Sequence, residues 1–190
     1  MTKIGTALLC ALALGVSVPA GAAGFKHENK PENLRALFSN IHQAIYGKKD
    51  TKQAAELMQS VMPDEARVKK ALKDNVPADT LQRIVGFHNK MGPVSERDVV
   101  KVAKPEQKNV QVHAAKTEDL VQYKQGSVAF KEFPGGAKKV AEAVLRPGMT
   151  FYEVEFLEPG KDAGMKYHLF YWDGKQWSML GPVWRVLEAK

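Results

Sequence analysis

The apolar positions of this chain change their spacing near its middle. Between residues 31 and 92 they recur at three- and four-residue steps, the period of an amphipathic helix. Leu34, Leu37, Phe38, Ile41 and Ile45 form the first stripe, on a helix predicted from Pro31 to Tyr46. Pro31 suits the first turn, where an N–H would have had no intrahelical partner, and Gly47 suits the end. Ala54, Ala55, Met58, Val61 and Met62 form a second stripe, entered at Asp50 or Thr51 with Asp50 and Gln53 at capping-box spacing. Asp64-Glu65 opens a short third helix ending near Asn75. Leu81, Ile84, Val85, His88 and Met91 mark a fourth from about Ala78 to Met91, which Gly92-Pro93 stops. Residues 93–108 are charged and aperiodic and read as a connector. Within it, Ser95 and Asp98 are spaced to cap one more turn.

From residue 109 to 188 an alternation of period two takes over. Val110 and Val112 alternate with Gln111 and His113. Thr117-Glu118-Asp119 reads as the start of a brief helix, Gly126–Phe133 as a strand, and Ala137–Leu145 as a helix. Thr150–Leu157 puts Tyr152, Val154 and Phe156 on one face and Phe151, Glu153, Glu155 and Leu157 on the other. Met165–Trp172 puts Tyr167, Leu169 and Tyr171 on one face and Lys166, His168 and Phe170 on the other. Asp173-Gly174 marks a tight turn between aromatic strands. Gln176–Leu180 is the return strand, and Val183–Leu187 a further short one. The expected fold is α+β: N-terminal helices packed on a C-terminal curved antiparallel sheet.

The first two dozen residues follow neither period. Lys3 precedes an apolar run from Ile4 to Val18, and Ala20-Gly21-Ala22 has the small-x-small form of a cleavage site. That order predicts a signal peptide over residues 1–22, followed by one domain over residues 23–190. The run falls short of the roughly 20 residues of a spanning helix. The expectation is therefore export to the periplasm or cell exterior, with no transmembrane anchor. Cys10 is the only cysteine of the chain and lies too early in the run for lipid attachment at a cleavage point. Cleavage leaves no thiol, which excludes disulfides, thiolate metal sites and a cysteine nucleophile. The formal net charge of +7 favours anionic surfaces or acidic partners. Nucleic acid is disfavoured, because export removes it and no recognition motif occurs.

Motifs for zinc proteolysis, a serine nucleophile elbow, nucleotide phosphates and dinucleotides are absent from the sequence, and no cofactor is implied. Pro134–Lys139 sets two glycines before a helix, a geometry that serves a turn first and an anion second. His27, His42, His88, His113 and His168 are never three or four residues apart, so no helix presents a ready pair of metal ligands and no metal site is expected. His88 sits in an apolar stripe and reads as a satisfied or boundary core histidine. His42 lies at a helix edge and reads as solvated. Glu153 and Glu155 share a sheet face, and strand pairing brings Lys166 and His168 opposite them. Glu153, Glu155 and His168 are the candidate catalytic residues, for proton transfer or for a divalent ion. The same charges also stabilise an ordinary wet sheet face. Most aromatics follow Thr150. Tyr152, Phe170, Trp172 and Trp177 are candidate ligand-binding residues, with packing in the core as the alternative.

The stretch YHLFYWDGKQWSMLGP, Tyr167–Pro182, behind several helices, resembles the last hairpin of exported bacterial domains with the cone-shaped nuclear-transport-factor-like or cystatin-like architecture. The resemblance implies a ligand-sized cavity between helix and sheet. It carries over no catalytic residue, and that architecture serves enzymes, binding modules and adaptors alike. The expected function is an exported, non-catalytic binding domain for a small amphipathic ligand or an envelope partner. The alternatives are an enzyme built on Glu153, Glu155 and His168, or a structural adaptor.

Overall fold

Side-chain caps and one proline set the helical half. The computed structural model describes residues 28–187; the predicted leader with Cys10, and His27 after it, lie outside them. α1 (Pro31–His42) opens on its proline and runs into a single π-helical turn, Gln43–Gly47. The Asp50 carboxylate accepts from the Gln53 amide to start α2 (Thr51–Ser60), and Asp64 does the same through Arg67 for α3 (Glu65–Ala71). α4 (Ala78–Met91) stops at Gly92, whose φ of +66° suits a residue without Cβ. Ser95 caps the one-turn α5 (Glu96–Val99).

β1 (Asn109–Lys116) follows, then α6 (Thr117–Gln122), α7 (Val128–Glu132) and α8 (Gly135–Ala143). β2 (Thr150–Leu157), β3 (Met165–Trp172), β4 (Trp177–Met179) and the one-turn α9 (Trp184–Leu187) complete the described chain. The strands form an antiparallel meander in the order β1-β2-β3-β4. The fold is α+β, as the two periodicities predict. Helices cover both faces of the sheet. Tyr152, Val154, Phe156, Phe170 and Trp177 pack against Leu34, Phe38 and Ile41 of α1 and Met58 of α2. Phe38 meets Phe170 edge-on at 5.0 Å. On the other face, Phe151, Leu169 and Tyr171 pack against Val68 of α3, Ile84 of α4 and Val140 of α8.

Three expectations are corrected. Gly126–Phe133 contains a helix, α7, not a strand. The Ser127 hydroxyl accepts from the Phe130 amide, and the buried residues Ala129 and Phe133 are four apart, whereas Val128 and Phe130 are exposed. Alternation over so few residues does not separate the two conformations. Val183–Leu187 likewise contains α9, turned by Val183, whose carbonyl accepts from the amides of Val186 and Leu187.

The third correction concerns β3. Its pairing with β2 shifts between Tyr152 and Val154, so that His168 and Leu169 together face Glu153, and Leu169 takes φ +57°. This β-bulge inserts one residue and reverses the alternation beyond it. Tyr167 stays on the α1 face, where Phe170 joins it; Leu169 and Tyr171 turn to the opposite face, which Lys166 and His168 share with Glu155 and Glu153.

The β3–β4 turn is tied to α3. Asp173 Oδ1 accepts from the amides of Lys175 and Gln176, and Oδ2 from Arg67 Nε at 2.8 Å and from the Ser178 hydroxyl. Arg67 also donates to the carbonyls of Met62 and Trp177. Burial pushes the Asp173 carboxyl up, but the two amides, Ser178 and Arg67 outweigh it and hold it below the usual range. Replacing Arg67 by leucine leaves Asp173 buried and uncompensated, with an expected loss of about 3–5 kcal/mol in urea unfolding at pH 7. A depressed carboxyl stabilises the fold above its unfolded pKa, and the benefit fades as pH falls through the folded value. The deficit of Asp173→Asn relative to the natural protein is therefore expected to shrink below about pH 4; a deficit that stays constant from pH 7 to pH 2.5 contradicts this.

Candidate functional site

Six ionisable side chains from four elements meet on the sheet face opposite α1. β2 supplies Glu153 and Glu155, both directed to that face by the period of two. β1 places His113 directly across from Glu153. β3 places Lys166 across from Glu155 and His168 at the bulge. α7 brings Glu132 over the top. Glu153 lies at the bottom, 0% exposed, and Glu155 is also buried; the other four are half-buried and form the rim.

Lys166 is the hub. Its Nζ lies 2.9 Å from Glu132 Oε2, 3.6 Å from Glu155 Oε2 and 3.9 Å from Glu153 Oε1. His168 Nδ1 is 2.9 Å from Glu153 Oε2, but Glu153 Oε1 has no hydrogen-bond partner. His113 Nε2 is buried and likewise unbonded, 3.6 Å from Glu132 Oε2 and 3.7 Å from Glu155 Oε2. Glu155 is oriented from behind, since its Oε1 accepts from the Gly164 amide at 2.7 Å. Trp184 walls one side, its ring centre 5.4 Å from that of His168. The same ring lies against Gly136, where a Cβ would come within 2.4 Å of it. Close packing thus accounts for one of the two glycines that open α8.

The charges do not share burial equally. Desolvation pushes the Glu153 carboxyl above its usual range, and the hydrogen bond to His168 and the nearby Lys166 and His113 only partly offset it. Desolvation also opposes the Lys166 charge, but the bond to Glu132 and the Glu155 and Glu153 carboxylates prevail and raise its pKa. For Glu132, burial is outweighed by Lys166 and His113, so its pKa falls. The cup therefore keeps an ammonium among carboxylates and leaves Glu153 the least satisfied of them.

Glu153, Glu155 and His168, singled out from the sequence, are brought together, and Lys166 with them. The face is covered rather than wet. His113 and Glu132 belong to the same cluster and escaped sequence reasoning. His113 alternates correctly, but its partner strand is not written in its own segment. Glu132 was hidden by reading α7 as a strand. The aromatic candidates form a separate layer on the α1 face. Tyr152 meets Trp177 edge-on at 5.1 Å, Trp177 meets Trp172 at 5.4 Å, and Phe170 is fully buried against Phe38. The Tyr152 hydroxyl donates to Asn29 Oδ1. His42, expected in solvent, is buried, with Nε2 3.1 Å from the Lys104 carbonyl. His88 is in the core as expected; burial lowers its pKa to about 4 against a backbone contact with Leu180, and neither ring nitrogen makes a well-aligned hydrogen bond. No family model, curated protein or solved structure matches the chain, so the chemistry of this cluster rests on its own geometry.

A raised carboxyl pKa means that the fold favours the protonated form. The associated stability is complete below the unfolded pKa and is lost as pH rises through the folded one. Glutamine imitates the protonated form. Glu153→Gln is expected to melt at a higher temperature than the natural protein at pH 7, with the gain shrinking toward zero below about pH 4. Thermal melts between pH 3 and pH 8 test this; a variant that melts lower at pH 7 would show that the buried charge stabilises the fold.

Proposed function

We propose that the protein works outside the cytoplasm as a binding protein for a divalent transition-metal ion, held by His113, Glu132 and Glu155. One observation carries this reading. Three donor atoms from β1, α7 and β2 lie within 4.8 Å of one another. Around a tetrahedral ion with bonds of about 2.0–2.2 Å, donor atoms stand roughly 3.3–3.6 Å apart. The 3.6 Å and 3.7 Å separations from His113 Nε2 need little adjustment. One imidazole with two carboxylates suits zinc, cobalt or manganese. Calcium asks for six to eight oxygens, and Cu(I) for sulfur. The Gly164 amide on the far oxygen of Glu155 fixes that carboxylate as ligand-orienting bonds do.

Lys166 Nζ lies where the ion would sit, beside Glu132 and Glu155. Entry of an ion displaces its ammonium, and Glu153 Oε1, unbonded and 3.9 Å away, is positioned to receive it. This gives the costly buried carboxylate a use. Export is supported by the leader-like N-terminus. Among the described residues, no helix is long and apolar enough to cross a membrane.

A second reading rests on the hydrogen bond between Glu153 and His168. A carboxylate on Nδ1 orients an imidazole for proton transfer through Nε2. The two readings separate by mutation, because His113→Ala removes a metal ligand and leaves the Glu153–His168 pair intact.

Calorimetric titration of the metal-stripped protein with Zn²⁺ or Co²⁺ is expected to show one ion per chain. Loss of orienting residues alone costs 10–100-fold in affinity at other sites, so His113→Ala and Glu155→Gln are each expected to cost at least about 100-fold. Lys166→Met removes the competing cation and is expected to tighten binding. Affinity is expected to fall as pH drops and the ligands protonate. Absence of binding, or equal affinity in His113→Ala, overturns the reading.

A further inference from the structure

His88 lies outside the cup, and the ion site makes no use of it. It sits on α4, only 7% exposed. Both ring nitrogens are shut off from solvent, and neither makes a well-aligned hydrogen bond. The ring meets Phe87 edge-on at 5.3 Å and has the backbone of Leu180 against it. A neutral imidazole tolerates such a place at modest cost. An imidazolium, with two N–H donors and a charge, does not.

Leu180 opens the segment that follows β4, and that segment reaches the cup. The Leu180 amide donates to the Leu169 carbonyl at 2.9 Å, and the Gly181 amide to the His168 carbonyl at 3.2 Å. Both acceptors belong to the bulge of β3. Farther on, Arg83 Nη1 of α4 reaches the Val186 carbonyl at 3.4 Å. Val183 is fully buried. Trp184 lies between Gly136 of α8 and the ring of His168. Residues 180–187 are thus held by α4 on one side and supply the tryptophan wall of the cup on the other.

Among the described residues, no charged group faces the His88 ring. On α3, Glu65 pairs with Lys69, and Arg67 and Lys70 bond to Asp173. On α4, Asp79 pairs with Arg83, and Lys90 is exposed. Arg185 of α9 is exposed too. Burial, opposed by the Leu180 backbone, lowers the His88 pKa to about 4 from its ordinary value of 6.5. The neutral ring therefore contributes stability that is complete above about pH 6.5 and is lost as pH falls toward the folded value.

We infer that protonation of His88 releases residues 180–187 from α4 and draws Trp184 from the wall of the cup, while the rest of the fold holds. The segment is the side that yields. α4 is fixed from its other side, where Ile84 and Val85 enter the core with Val68 of α3. α9 is a single turn, and one turn of helix has almost no stability of its own. The inference stands whether or not the cup holds an ion.

Hydrogen exchange of the full chain, read by mass spectrometry at pH 7 and pH 4.5 and corrected for the intrinsic effect of pH on exchange, tests it. Amides of residues 180–187, among them the bonded ones of Leu180 and Gly181, are expected to lose protection about tenfold or more at pH 4.5. Those of α1 and β2 are expected to keep it. At that pH Asp173, whose carboxyl is held below its usual range, retains its charge. His88→Leu and His88→Phe remove the titrating ring and are expected to abolish the acid step; circular dichroism checks that they fold. In the natural protein, the ring proton resonances of His88 are expected to titrate with the midpoint of the step, a readout that needs no variant. Unchanged protection at pH 4.5, or an acid step that persists in a folded variant, overturns the inference. Simultaneous loss of protection throughout the chain overturns it in favour of ordinary acid unfolding. A His88 midpoint apart from that of the step overturns it in favour of another group.

Discussion

Two residues of β3, His168 and Leu169, stand opposite a single residue of β2, Glu153, and the surplus is absorbed by turning Leu169 to φ +57°. A left-handed conformation at a residue with a side chain costs about 1–2 kcal/mol. The surroundings offset it. Leu169 is fully buried, its carbonyl accepts from the Leu180 amide, and the His168 carbonyl accepts from Gly181. With strict alternation, Phe170 would share a face with Lys166 and His168, and Tyr171 would enter the α1 layer. The bulge instead lets β3 serve two masters. Before it, the strand gives Tyr167 to one core and charge to the other face. After it, Phe170 continues the first core, and Tyr171 closes the second. The cup exists because the charged stretch ends where the alternation reverses.

The two most telling buried carboxylates of the protein show what the fold can do with such a group. Asp173 receives two backbone amides, a serine hydroxyl and a guanidinium, and its pKa falls. Glu153 receives one imidazole on one oxygen and no hydrogen bond on the other, and its pKa rises. Desolvation raises both, and Glu153 lies the deeper; only at Asp173 does the supply of donors outweigh it. Complete satisfaction of a buried acid is evidently within the means of this sequence. Glu153 Oε1 and His113 Nε2 are nonetheless left without hydrogen bonds in one cluster, and such orphaned buried polar atoms are few in folded proteins.

Much of the architecture was legible because it depends on short-range patterns. The stripes on α1, α2 and α4, the caps at Asp50, Asp64 and Ser95, and both faces of β2 follow from spacing that neighbouring residues share. What escaped depends on contacts between distant segments. The register that sets His113 against Glu153 belongs to two strands more than thirty residues apart in the chain. The bulge at Leu169 is an event of pairing, with no local signature in a strand of Tyr, Leu, Phe and Tyr. α7 is too short for its helical spacing, Ala129 to Phe133, to stand out from a strand. The first error hid a corner of the cup, Glu132 with α7; the second put Phe170 on the face of His168, where Leu169 and Tyr171 belong.

α7 joins the inside of the molecule to its outer surface. A helix of five residues has almost no stability of its own, so its placement is tertiary. Ser127 caps it, Ala129 and Phe133 bury its lower edge, and Lys166 bonds both the carboxylate and the carbonyl of Glu132 at its end. A cation beside a helix C-terminus is favourable whether it is an ammonium or an ion. Exchange of Lys166 for a metal would thus replace one tether on Glu132 with another and leave the helix seated.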